Sequence, residues 1–390
     1  MGGVKPVRTI PTGTNLPLSA IANDGTIYAA NGSSIDVWAA DSDGSPDIVK
    51  SFTGASVDGQ PALDEIRGLA YASGTSVVVI DPHQAPGAVV PTRTITGAAT
   101  DLDDATAVAW APDGSLWVFD TTSSDGPELL RFVAGATGNA APAQRIAGPK
   151  VRLASAAVVG GQGLIAAMPD SGVAFAPATA TDPQVSIFRG TQSGNVAPAY
   201  HASVATVSPH WLSEGLASDA QGRLYLGSGD IQGNYFGRLD IFSSTGRPIV
   251  TIGGSAQRFQ VPLLPTVAKN GTLALVDTTV LDLGGTTQTI GQVDVYRVLF
   301  AKPGAVRSLK VTTSRTSQTV SWLAPASPGG TPPSYTVVVK QGTRTVPSKK
   351  VATTKLAVAR SGLPKGSLKV TVTAVNIGGA GPGTSRTFSN

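Results

Sequence analysis

Six times along this 390-residue chain a glycine turn runs directly into a short apolar strand. The copies are "NDGTIYAAN", "ASGTSVVVID", "PDGSLWVFD", "GQGLIAAMP", "AQGRLYLGS" and "KNGTLALVD". Their turn glycines are Gly25, Gly74, Gly114, Gly163, Gly222 and Gly271, spaced by 49, 40, 49, 59 and 49 residues. Glycine tolerates the positive φ of tight hairpins, and β-branched and aromatic side chains suit a pleated surface, so each copy reads as a hairpin entering a strand. A short apolar strand precedes the kernel, as in "IRGLAYA", "ATAVAWAP" and "SEGLASDA". An alternating strand follows it: "SIDVWAAD", "ELLRFVAG", "QVSIFRG", "RLDIFSS", "QVDVYRV". A closing phrase ends the unit, as in "DIVKSFTG", "PTRTITG", "PAQRIAG" and "RPIVTIGG". Four strands in about 40 to 50 residues is the spacing of a β-propeller blade, and six kernels predict six blades.

The sixth unit runs to "QVDVYRVLFAKPG" and stops without its closing phrase. The missing phrase stands at the other end of the chain, in "KPVRTIPTG". The sequence therefore predicts that Lys5–Ile10 forms the outer strand of the last blade and joins the two ends of the ring, sheltering sheet edges that would otherwise be open. The expected fold is all-β: a six-bladed β-propeller over residues 1–303, closed by an N-terminal strand, and a second β domain over 304–390.

The units from Lys5 to about Lys302 resemble NHL-type and related six-bladed propeller repeats. "TGNAAP" at Thr137–Pro142 and "SGNVAP" at Ser193–Pro198 look like a turn common in bacterial versions of such repeats. The segment "AKPGAVRSLKVTTSRTSQTVSWLAPASPGGTPPSYTVVV" resembles the opening of a fibronectin type III domain, through Trp322 in "VSW", Pro325, the Gly329-Gly330 turn and Tyr335. "RSGLPKGSLKVTVTAVNIGGAGPGTS" looks like that family's last two strands, with Leu363 in the place of its leucine. The resemblance implies a β-sandwich with Trp322 and Tyr335 packed between its sheets. Leu368 stands where the family usually has a tyrosine, so the corner hydrogen bond is expected to be absent. Neither resemblance implies an activity, because both folds host many functions.

Charge divides the chain in the same place. Ala305–Asn390 carries twelve Lys and Arg and no Asp or Glu, which leaves 17 basic and 25 acidic residues, net −8, in the rest. Strand alternation places Lys340, Lys349, Lys350, Lys355, Lys365 and Lys369 on outer faces or turns. A field of one sign attracts an anionic partner: an envelope glycan or other polymer, an acidic neighbour protein, or the acidic propeller itself. Nucleic acid is not expected, since interleaved aromatics and a recognised nucleic-acid motif are lacking.

The chain has no cysteine, which excludes disulfides, thiolate catalysis and Cys-type zinc sites. No run of about 18 apolar residues offers a membrane span, so no membrane insertion is expected. "MGGVKPVRTI" lacks the apolar core of a signal peptide, which means either a trimmed leader or no passage through the general secretory route.

Catalytic motifs are sparse. His83, His201 and His210 do not form a metal cluster in sequence. "DSDGSPD" at Asp41–Asp47 has calcium-loop alternation, but Phe52 stands where the bidentate Glu belongs, so it reads as a hairpin turn. Six-bladed propellers include calcium-dependent lactonases. Here the starts of the inner strands are mixed (Arg67, Ala105 after Asp104, Glu214), and no ligand set assembles. No catalytic residue, metal or cofactor is therefore expected. "SPHWLSEG" places His210, Trp211 and Glu214 just before an inner strand, where a Trp with polar neighbours suits a sugar or packs between blades; with Arg67 these are the candidate ligand-binding residues.

The reading is a non-enzymatic binding and display protein, with protein partners in a larger assembly or a cell-envelope glycan as its contacts. Composition suits a high-GC actinobacterial host or one of its phages. The expected place is a virion surface or tail. The alternatives are a secreted, extracellular adhesin at the cell surface and a calcium-dependent propeller hydrolase.

Overall fold

The computed structural model describes residues 6–13, 17–121, 126–153, 164–176, 184–203, 211–230, 237–253, 264–282, 287–296, 302–327, 334–376 and 378–390. The chain divides into two compact units, Lys5–Tyr296 and the segment from Arg297 to Asn390.

The first unit is a six-bladed β-propeller. From inner to outer strand, blade one comprises Leu18–Ile21, Ile27–Ala30, Ser34–Trp38 and Ile48–Thr53. Blade two comprises Asp58–Asp64, Gly68–Ser73, Ser76–Ile80 and Pro91–Thr96. Blade three is Ala105–Trp110, Leu116–Asp120, Glu128–Phe132 and Gln144–Ala147. Blade four is Leu164–Ala167, Val173–Ala176, Gln184–Phe188 and Tyr200–Ser203. Blade five is Trp211–Ser218, Leu224–Asp230, Gly237–Phe242 and Pro248–Gly253. Blade six takes Leu264–Val267, Leu273–Asp282 and Thr287–Tyr296, and its outer strand is Arg8–Gly13 from the start of the chain.

That last pairing is the closure read from the displaced phrase. Arg8–Gly13 runs antiparallel to Thr287–Tyr296, with Ile10 opposite Val293. Ile10 is fully buried, and Thr9 Oγ1 donates to Asp294 Oδ1 at 2.6 Å.

The apolar core lies between blades. Trp117, Phe119 and Leu129 of blade three meet Val173, Phe175 and Phe188 of blade four, and the Phe119 and Phe175 rings are 4.9 Å apart. Equivalent clusters join blades one and two, two and three, four and five, and six and one. Each large side chain so buried stabilises by about 1.5–3 kcal/mol, and no blade can collect that alone.

A second device repeats around the ring. The connection between the third and outer strands of a blade reaches across to the outer strand of the blade before. In blade three, Gly138 N donates to Thr94 O at 2.7 Å and Gly138 O accepts from Thr96 N at 3.0 Å. Asn139 Oδ1 then accepts from Ala99 N at 2.6 Å. In blade four, Gly194 exchanges the same bonds with Arg145 and Ala147, and Asn195 Oδ1 accepts from Lys150 N at 2.8 Å. The closing glycines Gly97 and Gly148 sit at φ 122 and 105, and a Cβ on either would lie within 3 Å of Asn139 or Asn195. So "TGNAAP" and "SGNVAP" are latches between blades, and the closing-phrase glycine is the seat for the latch asparagine. Blade two does the same with Gly87–Ala88, which pairs parallel to Phe52–Thr53.

Two kernels are out of phase with the expected unit. In blade two, "GLAYAS" is the second strand, and Gly74 lies between the second and third. The first hairpin is Glu65–Arg67, ending at Gly68 with φ 120. In blade four, "LIAA" is the inner strand and Gly172 follows it at the first hairpin, whereas Gly163 lies outside the described residues. Both the first hairpin of a blade and, as in blade two, the second can join two apolar strands through a tight turn, so a glycine before an apolar run does not say which hairpin it serves.

The second unit is a two-sheet β-sandwich. One sheet holds Arg307–Thr313, Ser317–Leu323 and Lys355–Ala359; the other holds Arg344–Val351, Ser334–Gln341, Ser367–Asn376 and Gly379–Ser389, in that spatial order. Period-two burial builds its core: Tyr335, Val337 and Val339 stand beside Ala374, Val372 and Val370 on the inner side of one sheet. Trp322 and Tyr335 pack edge to face with centroids 5.3 Å apart. Leu368, in the expected tyrosine's place, is buried opposite Phe388 and supplies core volume instead of a hydroxyl.

Candidate binding site at the end of the propeller channel

The six inner strands surround a central channel. Its walls are short and largely apolar, with Ala20, Ala62, Ala107, Ile165, Leu216 and Leu264 among them, around a cavity of about 140 Å³. Gln60, Ser218 and Thr266 are polar members of the lining, and Gln60 Nε2 donates to Ser19 O and to Pro265 O, both at 3.1 Å, tying the inner strand of blade two to blades one and six.

At one end of this channel the first hairpins of successive blades interlock. Asn23 N and Nδ2 donate to Glu65 at 2.6 and 2.8 Å. Asn270 N donates to Asn23 Oδ1 at 2.9 Å. Arg67 Nη2 donates to Pro112 O at 3.2 Å, and Trp117 Nε1 to Ser171 O at 3.0 Å. A larger cavity of about 390 Å³ opens inside this ring of turns. Leu63, Ala111, Ala167, Met168 and Val267 contribute apolar lining, with Trp110 at the side.

Asp64 organises the charge here. Its side chain is 2% exposed, and its Oδ2 accepts from Arg67 Nη1 at 2.7 Å and from Lys269 Nζ at 2.9 Å. Its other oxygen takes the amides of Ile66 and Arg67, both at 3.0 Å. Burial pushes its pKa up, but the hydrogen bonds from Lys269, Ile66 and Arg67 and the Lys269 charge outweigh burial and hold it below the ordinary carboxylate value. Lys269 lies 205 residues along the chain from Asp64. Arg67 is placed by the neighbouring blade: its guanidinium lies over Gly114, where a Cβ would come within 2.7 Å of Nε. Asp219 also lines the cavity, but its fully buried carboxylate is taken by Arg223 Nε at 2.6 Å and Tyr225 OH at 2.9 Å. Trp110 Nε1 donates to Gly68 O at 3.1 Å, and the Arg93 guanidinium stands 5.4 Å from its ring centre.

The residues expected to act together are therefore divided. Arg67 follows the inner strand of blade two, at this mouth, and does not begin an inner strand. Trp211 and Glu214 belong to the inner strand of blade five, near its start and so at the other end of the channel; Glu214 falls at a register shift between Ser213 and Gly215. They are in the strand, not in a loop before it, because the pairing of Trp211 with Asp230 extends that hairpin. Only their backbone is described, and His210 lies outside the described residues. Among the described residues no three His, Asp or Glu side chains are grouped to hold a metal ion. "DSDGSPD" proves to be the latch of blade one on the closing strand: Asp43 Oδ1 accepts from Thr9 N at 3.0 Å and Gly44 N donates to Thr9 O at 2.8 Å.

Asp64, Trp110 and Lys269 were not singled out from sequence. One signal was available for Lys269. Aligning the kernels on their glycines puts Asn23, Pro112, Ala220 and Lys269 at one position, and Lys269 is the cation among them.

In the sandwich, Lys340, Lys349, Lys350, Lys355, Lys365 and Lys369 are all exposed. Lys340 and Lys369 are direct cross-strand partners. Gln341 Nε2 donates to Lys365 O at 2.9 Å, which brings Lys365 to the same end of the sheet. Lys349 and Lys350 lie on one edge strand and Lys355 on an edge of the other sheet, where lysines also discourage edge-to-edge pairing.

No protein-family model matches the chain, and no curated protein matches it. Among solved structures it is similar to a calcium-binding protein, regucalcin, from Agrobacterium tumefaciens strain C58, at 12% identity over 76% of this chain and 97% of that one, with a TM-score of 0.44. A luciferin-regenerating enzyme matches at 11% identity over 75% and 97%, TM-score 0.43. Domains d3–d4 of the rat CD45 extracellular region match at 18% identity over 36% and 74%, TM-score 0.23. Likeness at this level says nothing of what the chain binds or does.

Proposed function

We propose that this is a non-enzymatic binding and display protein, which presents the propeller mouth to a partner and uses the basic sandwich as a second, electrostatic contact. The observation that carries this is the state of the charged groups at the mouth. Asp64 is held ionised by two cations, and Asp219 is buried under Arg223 and Tyr225. Groups tied in this way are rigid, while the lining around them is largely apolar, which suits binding. The proposed place is the surface of a phage virion, facing a bacterial envelope or neighbouring structural proteins. A secreted adhesin on an actinobacterial surface is the other place the same architecture suits.

The test is binding of the labelled full chain to intact actinobacterial cells at low and high salt, beside a chain with Lys340, Lys349, Lys350, Lys355, Lys365 and Lys369 changed to Gln. Binding that survives salt and the six changes supports the propeller as the receptor-binding part. Binding lost to both makes the sandwich the anchor. Absence of binding in all arms sinks the cell-surface reading.

A further inference from the structure

We infer that the channel mouth is a site for a carboxylate carried on a small apolar body. This rests on the proposed binding role and names the ligand's chemistry. Four charged side chains line the cavity. The two acids, Asp64 and Asp219, have side chains 2% and 0% exposed, and each is occupied by cations or hydrogen-bond donors from beneath or beside it. The two cations are the charges that face solvent: the Lys269 side chain is 59% exposed and that of Arg67 35%. Both converge on the single Oδ2 of Asp64, so one negative charge is shared by two positive ones. The exposed charges of the lining are therefore both positive, at the rim of a cavity that Leu63, Met168 and Val267 also line, while the Glu65 carboxylate on the same hairpin is engaged by Asn23.

That arrangement selects three properties in a ligand. It should bear an anion, to meet the exposed cations. The anion should be small and able to take donors from an ammonium and a guanidinium at once, as a carboxylate does. The remainder should be apolar and fit about 390 Å³, because a polar body would lose its hydration against these walls without new partners. The carboxylate would lie across Lys269 Nζ and the Arg67 guanidinium with the apolar body pointing into the mouth. The propeller's overall negative charge disfavours polyanions here, so the two exposed cations suit a single carboxylate.

Two sources carry this chemistry: a free organic acid and the C-terminal end of a peptide. The experiment is calorimetric titration of the full chain with 4-phenylbutanoate, with its amide, and with a tetrapeptide ending in Phe, its C-terminus free or amidated. Lys269→Gln is the test variant, chosen because its side chain is more than half exposed, and its melting temperature checks folding. Binding of either carboxylate, weakened about tenfold by Lys269→Gln, as expected for one lost hydrogen bond to a charged group, with the amides failing to bind, supports the site. The carboxylate that binds, acid or peptide, then identifies the source. Equal binding of acid and amide, no effect of Lys269→Gln, or no binding of either carboxylate overturns it. Cell binding by the full chain would survive such a result, and carboxylate binding would survive a failure to bind cells, so the two proposals fail separately.

Discussion

The propeller and the sandwich are both built from antiparallel strands, yet they hold themselves together differently. Every ion pair among the described residues lies in the propeller: Asp64 with Arg67 and Lys269, Asp113 with Arg131, Glu128 with Arg145, Asp219 with Arg223, Asp240 with Arg238. The sandwich, from Ala305 on, has no Asp, Glu or His with which to form one. Its charges only repel, and Lys340 stands opposite Lys369. What holds it is the layer around Trp322, Tyr335, Val337 and Val372. A closed ring must secure six interfaces between separate sheets, so it uses directional contacts in addition to packing. A two-sheet sandwich has one interface, which apolar packing holds without ion pairs, helped by a few hydrogen bonds between the sheets such as Gln318 Nε2 to Ser389 O at 3.2 Å and Arg386 Nη1 to Leu309 O at 3.0 Å.

The sharpest way to break this contrast is to remove the closing strand. Deletion of residues 1–10 takes Thr9 and the fully buried Ile10 from blade six. Loss of the cooperative unfolding transition of the propeller is expected, while hydrogen exchange in residues 304–390 stays unchanged. An unaltered propeller melt would show that closure does not hold the ring.

Single core changes come next. Trp117 is fully buried between blades three and four and its Nε1 is bonded to Ser171 O, so Trp117→Ala should destabilise the propeller by about 3–5 kcal/mol in urea unfolding. The latches are weaker. Asn139→Ala and Asn195→Ala should each cost about 1 kcal/mol, the net worth of one hydrogen bond; Gly97→Ala should cost more, since it adds strain at φ 122 to a clash with Asn139.

Acidity separates the units without mutation. Asp294 has its pKa raised by burial, which its hydrogen bonds from Thr9, Gln292 and Tyr296 only partly offset. Its folded form holds the proton more tightly than the unfolded chain does, so stability falls as pH rises from 3.8 through the folded value. Glu128, also raised mainly by burial, acts in the same direction from 4.5. Asp64 is depressed, so its contribution is present above 3.8 and is lost as pH falls through its folded value. Asp294→Asn should abolish part of the decline above pH 3.8 while keeping the Thr9 bond. With no Asp, Glu or His, the sandwich should show an unfolding free energy nearly flat from pH 4 to pH 8, apart from its terminus. Exchange rates measured by region across that range check both.

The smallest expected effect concerns the facing lysines. Lys369→Glu should stabilise the sandwich by about 0.5 kcal/mol by replacing a like-charge pair with an opposite one, and added salt should shrink the gain.

Much of this molecule was legible in the chain. The inward packing of Trp322 and Tyr335 was implied by the resemblance to fibronectin type III domains. The glycine-strand kernels and the displaced closing phrase specify strands and closure, and strand alternation specifies the outward lysines. These are local properties, set by side-chain period and by the backbone freedom of glycine. The phase of the kernels in blades two and four was ambiguous because successive hairpins obey the same local rule. Of the mouth, only Arg67 and the odd cation at Lys269 in the aligned kernels were legible. Asp64, Arg67, Trp110, Gly114 and Lys269 meet because blades two, three and six surround one channel, and Lys269 reaches Asp64 across 205 residues. The work of "TGNAAP", "SGNVAP" and "DSDGSPD" was hidden for the same reason, since each latches onto a strand of the preceding blade. A sequence determines which segments become strands and which side they bury; which distant turns share a rim depends on how the blades close around the axis, and that is a property of the assembled ring.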